Sequence, residues 1–204
     1  MSVDPPRIAE LAARSRAVLE RAGAHLRKTP LVPCPRLSEA IGGEVHLKLE
    51  SLQATGSFKL RGAFARLTAE SPTPARVVTA STGNHGAAVA HAARSLGIEA
   101  VVYVPRTAAA AKVDKIRTLG ALVREAGEDC VEAEAAARGE SEAEGLVYVS
   151  PYNDPEVVAG QGTLGLELVD EVPGGVDAVS ISVGGGGLIS VSYTHLTLPT
   201  TPYV

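Results

Sequence analysis

From Glu44 onward, short runs rich in valine and other apolar residues alternate with longer runs rich in alanine and leucine, and this rhythm constrains the fold more than any other feature. The short runs are EVHLKL at 44–49, RVVTA at 76–80, EAVVYV at 99–104, ALVR at 121–124, LVYVS at 146–150 and VDAVSISV at 176–183, and all are predicted as strands. Between them, 58–69, 85–96, 108–119, 128–138 and 155–171 are predicted as helices. Such alternation predicts an α/β fold with a mostly parallel sheet. Ligands of these sheets bind beyond the carboxyl ends of the strands, so the chemistry is expected where strands hand over to helices. Ahead of this region, Ile8, Leu11, Ala12, Ser15 and Leu19 fall at helical offsets and predict a helix over 5–25. Thr29-Pro30-Leu31 then favours an extended path, because proline pushes the residue before it out of the α region. Residues 139–144 (GESEAE) read as a solvated acidic loop, and Ser71-Pro72-Thr73-Pro74 as a connector.

A chain of 204 residues suffices for one generous domain or two small ones. The net charge of −4 supplies no basic field for phosphate backbones, and five Tyr, two Phe and no Trp leave little surface for stacking bases, so no nucleic-acid partner is expected. No stretch approaches the roughly 20 apolar residues of a membrane span, and MSVDPPRIAE has neither a basic nor an apolar leader region. A cytoplasmic protein without a membrane partner is expected. Cys34 and Cys130 stand far apart and in no C-x-x-C pair, so neither a disulfide framework nor a metal centre is expected.

Three loops carry chemistry-bearing residues. In Thr55-Gly56-Ser57-Phe58-Lys59-Leu60-Arg61-Gly62-Ala63, Lys59 falls on the first turn of a predicted helix, whose partial positive charge disfavours an ammonium. A lysine of lowered pKa is what Schiff-base chemistry requires, since only the neutral amine attacks a carbonyl. The alternative is a surface lysine on a helix capped by Ser57. Ala80-Ser81-Thr82-Gly83-Asn84-His85-Gly86 follows a predicted strand and opens a helix, exposing backbone N–H groups suited to a carboxylate or phosphate, or else simply capping the helix. Gly184, Gly185, Gly186 and Gly187 follow the run at 176–183. Four glycines in succession carry a large entropy cost, and close approach of backbone amides to an anion is one reason to bear it, a flexible turn being the other. This is neither a phosphate loop of the Gly-Lys-Ser/Thr type nor a dinucleotide fingerprint, because Ile189 stands where a third glycine would be needed. A Schiff-base lysine, an anion loop and a phosphate loop together describe a site for an aldehyde bearing a phosphate, and pyridoxal phosphate fits that description.

The motifs HLKLESLQATGSFKLRGA (46–63), ASTGNHG (80–86), PYNDPEVVAGQGTLGLEL (151–168) and VGGGGL (183–188), in that order, closely resemble the fold-type II pyridoxal-phosphate enzymes in the branch of threonine/serine dehydratases and serine racemase. The resemblance covers about residues 25 to 190. Leu60 stands where cysteine-synthase-like members carry Asp, which favours β-elimination over β-replacement. The resemblance implies the tryptophan synthase β-like architecture of two open parallel-sheet domains. The larger, incomplete here, would comprise 1–72 and 153–190, and a smaller one of 73–152 would close over the substrate. It implies that Lys59 bonds pyridoxal 5'-phosphate and serves as the base at Cα, that Phe58 packs beside the ring, and that Asn84 and Asn153 lie at the cofactor. Gly184, Gly185, Gly186 and Gly187, with Leu188, would bind the phosphate. Ser81, Thr82 and the amides of Asn84 and His85 would receive the substrate carboxylate, and Thr82 occupies the position where a racemase places a small hydroxyl acid. The implied reaction converts L-threonine or L-serine, through an aminoacrylate, to a 2-oxo acid and ammonia, in a protein that is a homo-oligomer when complete.

After Gly187 the family pattern gives way to LISVSYTHLTLPTTPYV. Residues 191–204 hold four threonines and two prolines with no helical period, and read as foreign sequence of the kind produced by translated adapter DNA. A sheet cut mid-way exposes an edge and uncovered apolar faces, so this chain is expected to be aggregation-prone and of little activity by itself. Two activities close to dehydration stay open, serine racemisation and dehydration of a related hydroxy-amino acid. A reading of another class, a non-catalytic phosphate- or nucleotide-binding α/β domain, makes Lys59 dispensable for ligand binding. A ligand-free interaction fragment would leave the three loops without a purpose.

Overall fold

The computed structural model describes residues 5–189, and the tail at 191–204 lies outside them. Helix α1 (Pro5–Ala22) runs into a 3-10 turn, Gly23–His25. A two-stranded antiparallel ribbon follows, β1 (Leu31–Pro33) against β2 (His46–Lys48), with the short helix α2 (Pro35–Ile41) between them. After α3 (Lys59–Thr68) come the strands and helices of the main sheet: β3 (Arg76–Ala80), α4 (Asn84–Ser95), β4 (Glu99–Val104), α5 (Ala110–Thr118), β5 (Leu122–Glu125), α6 (Cys130–Glu144) and β6 (Val147–Tyr148). Helix α7 (Pro155–Glu171) closes the series.

The sheet has the order β5-β4-β3-β6, and every neighbour is parallel. Alternate residues of its strands point to opposite faces, which explains where the helices sit. Val77, Val102 and Val104 face a core shared with α4 and α5, whereas Val78, Val101 and Tyr103 meet Ala137 of α6. Helix α4 also packs on α3, and α3 packs on α7, which in turn packs on α1. The helical layer and the sheet therefore share one large core around Phe64, Leu60, Leu67, Val18 and Val157. No helix among the described residues is long and apolar enough to cross a membrane.

Helix termini show why the local sequence folds this way. Asp154 caps α7 by accepting from Glu156 N at 2.8 Å and Val157 N at 3.1 Å, with Pro155 at the first helical position. Asp129 caps α6 by accepting from Val131 N and Glu132 N, each at 2.9 Å, while Glu132 accepts from Glu128 N at 2.7 Å. Replacing Asp129 with Ala strips two donors of their acceptor and is expected to cost about 1 kcal/mol, read as a lowered urea midpoint.

Two sequence expectations are corrected. Residues 139–144 are not a loop, because α6 continues through them to Gly145, whose φ of 65° forms a left-handed cap. Their small and acidic residues are good enough helix formers, and the Ser141 hydroxyl, donating to Leu146 O at 2.7 Å, ties the helix end to the strand that follows. The run at 176–183 forms no strand. Valine-rich sequence favours a strand only where a neighbouring strand completes the ladder, and among the described residues none does, so Val176, Val179 and Val183 stand exposed.

Candidate active site

Lys59 is the first residue of α3, and its N-cap Phe58 supplies no side-chain capping bond. The preceding Ser57 hydroxyl is buried and unpartnered, so it does not cap the helix in the way its sequence position suggests. The lysine side chain turns inward. Its Nζ donates to Pro151 O at 2.7 Å and sits 5.3 Å from the centre of the Phe58 ring. Burial pushes its pKa below the ordinary lysine value, as the sequence led us to expect, although the cause is lost hydration.

The loop 81–86 leaves the carboxyl end of β3 and enters α4. Gly83 is the N-cap, and no side chain caps the helix. The Ser81 hydroxyl accepts from Gly83 N at 3.1 Å. Thr82 is half-buried and Asn84 exposed, while the His85 ring is buried. A side chain at Gly86 would run into Ser81 O, so only glycine lets the loop fold back so closely onto the helix. His85 Nε2 lies 3.0 Å from Val149 O, and since a carbonyl can only accept, Nε2 carries the proton. Burial lowers the His85 pKa to about 4, opposed by the Val149 bond and aided by the nearby Lys59 charge. The ring is therefore neutral at physiological pH, with Nδ1 a buried and unpartnered acceptor. No hydrogen bond among the described residues joins Thr82 or Asn84 to Lys59.

Residues 149–153 leave the carboxyl end of β6, the parallel neighbour of β3, so both loops emerge at one end of the sheet. Val149 N donates to Val78 O at 2.8 Å, and Val149 O also accepts from the Thr79 hydroxyl at 2.7 Å. Asn153 is exposed, and its N–H donates to Ser150 Oγ at 3.1 Å. The glycine loop lies over this segment. A side chain at Gly185 would collide with the Tyr152 ring, Gly187 is close to Tyr152 as well, and Gly186 has a φ of 84° that favours glycine. Gly184 is exposed and Leu188 half-buried. Lysine, the loop 149–153 and glycine loop thus converge. Pro151, Val149 and Tyr152 are the residues that the motif chemistry missed, since two of them act through backbone carbonyls that any side chain would provide.

These residues fit a phosphate-bearing aldehyde: a half-buried amine of lowered pKa, an aromatic ring beside it, and a glycine loop whose backbone closes where a Cβ would not. Residues 23–201 match the family described as pyridoxal-phosphate dependent enzyme. The chain belongs to that family. Within it, the chain is 47% identical over 167 residues to the L-threonine ammonia-lyase of Thermotoga maritima, covering 81% of this chain and 41% of that protein. The processed form of threonine deaminase isoform 2 from Solanum lycopersicum superposes with a TM-score of 0.88 at 35% identity, over 96% of this chain and 53% of that one. Maize serine racemase superposes with a TM-score of 0.85 at 31% identity, over 91% and 58%. The chain therefore spans about half the length of the pyridoxal-phosphate dependent enzymes it matches. The architecture is that of fold-type II members, as the sequence implies.

Proposed function

We propose that this chain carries the amine and anion sites of a pyridoxal-phosphate dependent lyase that converts L-threonine or L-serine to a 2-oxo acid and ammonia. The observation that carries this reading is the half-buried Lys59 amine held on Pro151 O, in a chain 47% identical to an L-threonine ammonia-lyase. Bound pyridoxal phosphate would supply the electron sink that stabilises a carbanion at the substrate Cα. Lys59, Phe58, Asn84, Asn153, the glycines 184–187 and Leu188 would hold it. Lys59 Nζ takes the Cα proton, and burial serves that role because it lowers the amine's pKa and so raises its neutral fraction above that of an exposed lysine. Ser81, Thr82 and the amides of Asn84 and His85 bind the substrate carboxylate at the N-terminus of α4, whose first-turn donors no side chain caps. Overall, the β-hydroxyl leaves as water, and water returns at Cα as ammonia departs. The same reading divides the chain into a small domain at 73–152, which carries the 81–86 loop over the substrate, and a larger one made of the flanking segments.

A second reading, serine racemisation, draws on the likeness to maize serine racemase and on the Thr82 hydroxyl. Chiral analysis of serine incubated with the protein separates it from dehydration, which releases pyruvate instead.

The test is borohydride reduction of the chain incubated with pyridoxal phosphate, with the labelled peptide mapped by mass. We expect a visible absorbance band and a reduced adduct on Lys59, both lost in Lys59→Ala, and protection of Lys59 by L-threonine or L-serine. Phosphate binding that persists unchanged in Lys59→Ala, with no adduct on the parent chain, would favour a non-catalytic anion-binding domain.

A further inference from the structure

The His85 side chain has no role in carboxylate binding through its backbone amide, yet its ring is among the most tightly placed polar groups in the molecule. It is 4% exposed and cannot meet a substrate from solvent. Its Nε2–H is spent on Val149 O, and that carbonyl is fixed from a second side by Thr79 Oγ1. Two residues further on, Pro151 O is the acceptor of Lys59 Nζ, and the next residue, Tyr152, lies beneath Gly185 and Gly187. The segment 149–152 is thus pinned at one end by α4 and β3, and at the other it seats the lysine and backs the glycine loop.

We propose that the His85 imidazole is a positioning residue for Lys59, acting through its Nε2–H bond to Val149 O to fix the Pro151 carbonyl on which the lysine amine rests. The loop that opens α4 and the lysine at the head of α3 are then joined by one short stretch of backbone, although no hydrogen bond links them directly. Because the ring is neutral, it acts on the amine through this bond and not through charge, in keeping with burial as the cause of the lowered Lys59 pKa. The groups placed against the amine are the Phe58 ring and the Pro151 carbonyl, with His85 nearby, while among the carboxylates of α7 Glu156 is taken by Arg14 and Arg21, Glu167 by Arg61 and Lys48, and Glu171 by Lys48. The inference rests on the lysine reading given under the proposed function.

Trace labelling of the cofactor-free chain with acetic anhydride across pH, read lysine by lysine from peptide masses, reports the neutral fraction of each amine. In the parent chain Lys59 should label at a lower pH than an ordinary exposed lysine side chain. His85→Leu keeps apolar volume but removes the donor. Water then reaches Nζ, and the Lys59 profile should move up toward that of the exposed lysines, a shift of one unit lowering its labelling about tenfold at pH values below both. His85→Gln, whose amide nitrogen falls near the place of Nε2, should hold the parent profile. An unmoved Lys59 profile in a folded His85→Leu chain overturns the proposal, as does a Gln variant shifted as far as the Leu variant. Should His85→Leu fail to fold, the isosteric Thr79→Val removes the other donor to the same carbonyl and decides the matter. A smaller shift in the same direction supports the proposal, and none overturns it. Because labelling needs no cofactor, a failed borohydride trap beside an intact His85 effect would sink the cofactor reading alone.

Discussion

Arg61→Met should lower the stability of the chain by about 3–5 kcal/mol, the range found when one partner of a buried ion pair is removed. The Arg61 side chain is fully buried, two residues past Lys59. Its Nε and Nη2 donate to Glu50 at 2.8 Å each, Nη1 and Nη2 donate to Glu167 at 2.6 and 3.0 Å, and Nη1 reaches Thr163 Oγ1 at 3.0 Å. Burial opposes the guanidinium charge, and the bonds and charges of Glu50 and Glu167 more than offset it, raising its pKa. Lys48 closes the cluster, its Nζ lying 2.8 Å from both Glu167 and Glu171 and donating to Thr29 O at 2.6 Å. Methionine would leave Glu50 and Glu167 short of a partner in a largely buried site. Urea unfolding should show the loss, and Arg61→Lys should recover only part of it, because an ammonium cannot reproduce the planar fork that serves two carboxylates at once. Adding Glu50→Gln and Glu167→Gln to Arg61→Met should restore much of the stability, since the cost lies in stranded charge. A midpoint within 1 kcal/mol of the parent in the single variant would mean that the cluster is not the buried clamp described above.

Gly160→Ala should cost about 3 kcal/mol, at the upper end of what overpacking usually does. Helices α3 and α7 cross with Gly62 and Gly160 in the contact, and a Cβ on Gly160 would stand 2.6 Å from Arg61 O and 2.7 Å from Gly62 Cα. Both are backbone atoms, so neither can swing aside and the helices must separate. Lys59 begins α3 one turn from this crossing, and the separation should also lower the yield of pyridoxyl label at Lys59 in the borohydride experiment. Gly139→Ala in α6 is the control, since nothing lies within 4 Å of the added methyl. Relieved of glycine's extra backbone freedom, that variant should gain about 0.5–1 kcal/mol. Urea midpoints that move the same way for both glycines would refute the argument from close packing.

The contrast between the two glycines shows what was legible in the sequence. Strands β3 and β4 and helix α7 occupy the predicted residues, because each has a strong local signal: valine runs bounded by turns for the strands, and Asp154-Pro155 for the helix start. Helix α6 outran its prediction because GESEAE looks polar and loop-like, and only the left-handed Gly145 and the Ser141 bond reveal where the helix ends. The run at 176–183 failed in the opposite sense, since its valines announce a strand while the ladder that would make one is a property of neighbours. Among the residues proposed for the site, Lys59 and the loops 81–86 and 184–187 stand out in the sequence because their chemistry is written in side chains or in glycines. Pro151 does not, because its contribution is a carbonyl. Nor could the sequence assign the His85 ring, which is spent on a partner 64 residues away.

The edge strand β6 pairs with β3 through only two register positions, Val77 with Val147 and Val78 with Tyr148. Beyond those two rungs, the segment that seats the Lys59 amine is held by Val149 N on Val78 O and by the Thr79 and His85 bonds to Val149 O. Protein edges open locally far more often than whole domains unfold, so the lysine's socket is expected to open before the interior strands β3 and β4 do. The amine's seat would then be dismantled and rebuilt while β3, β4 and their helices stay closed.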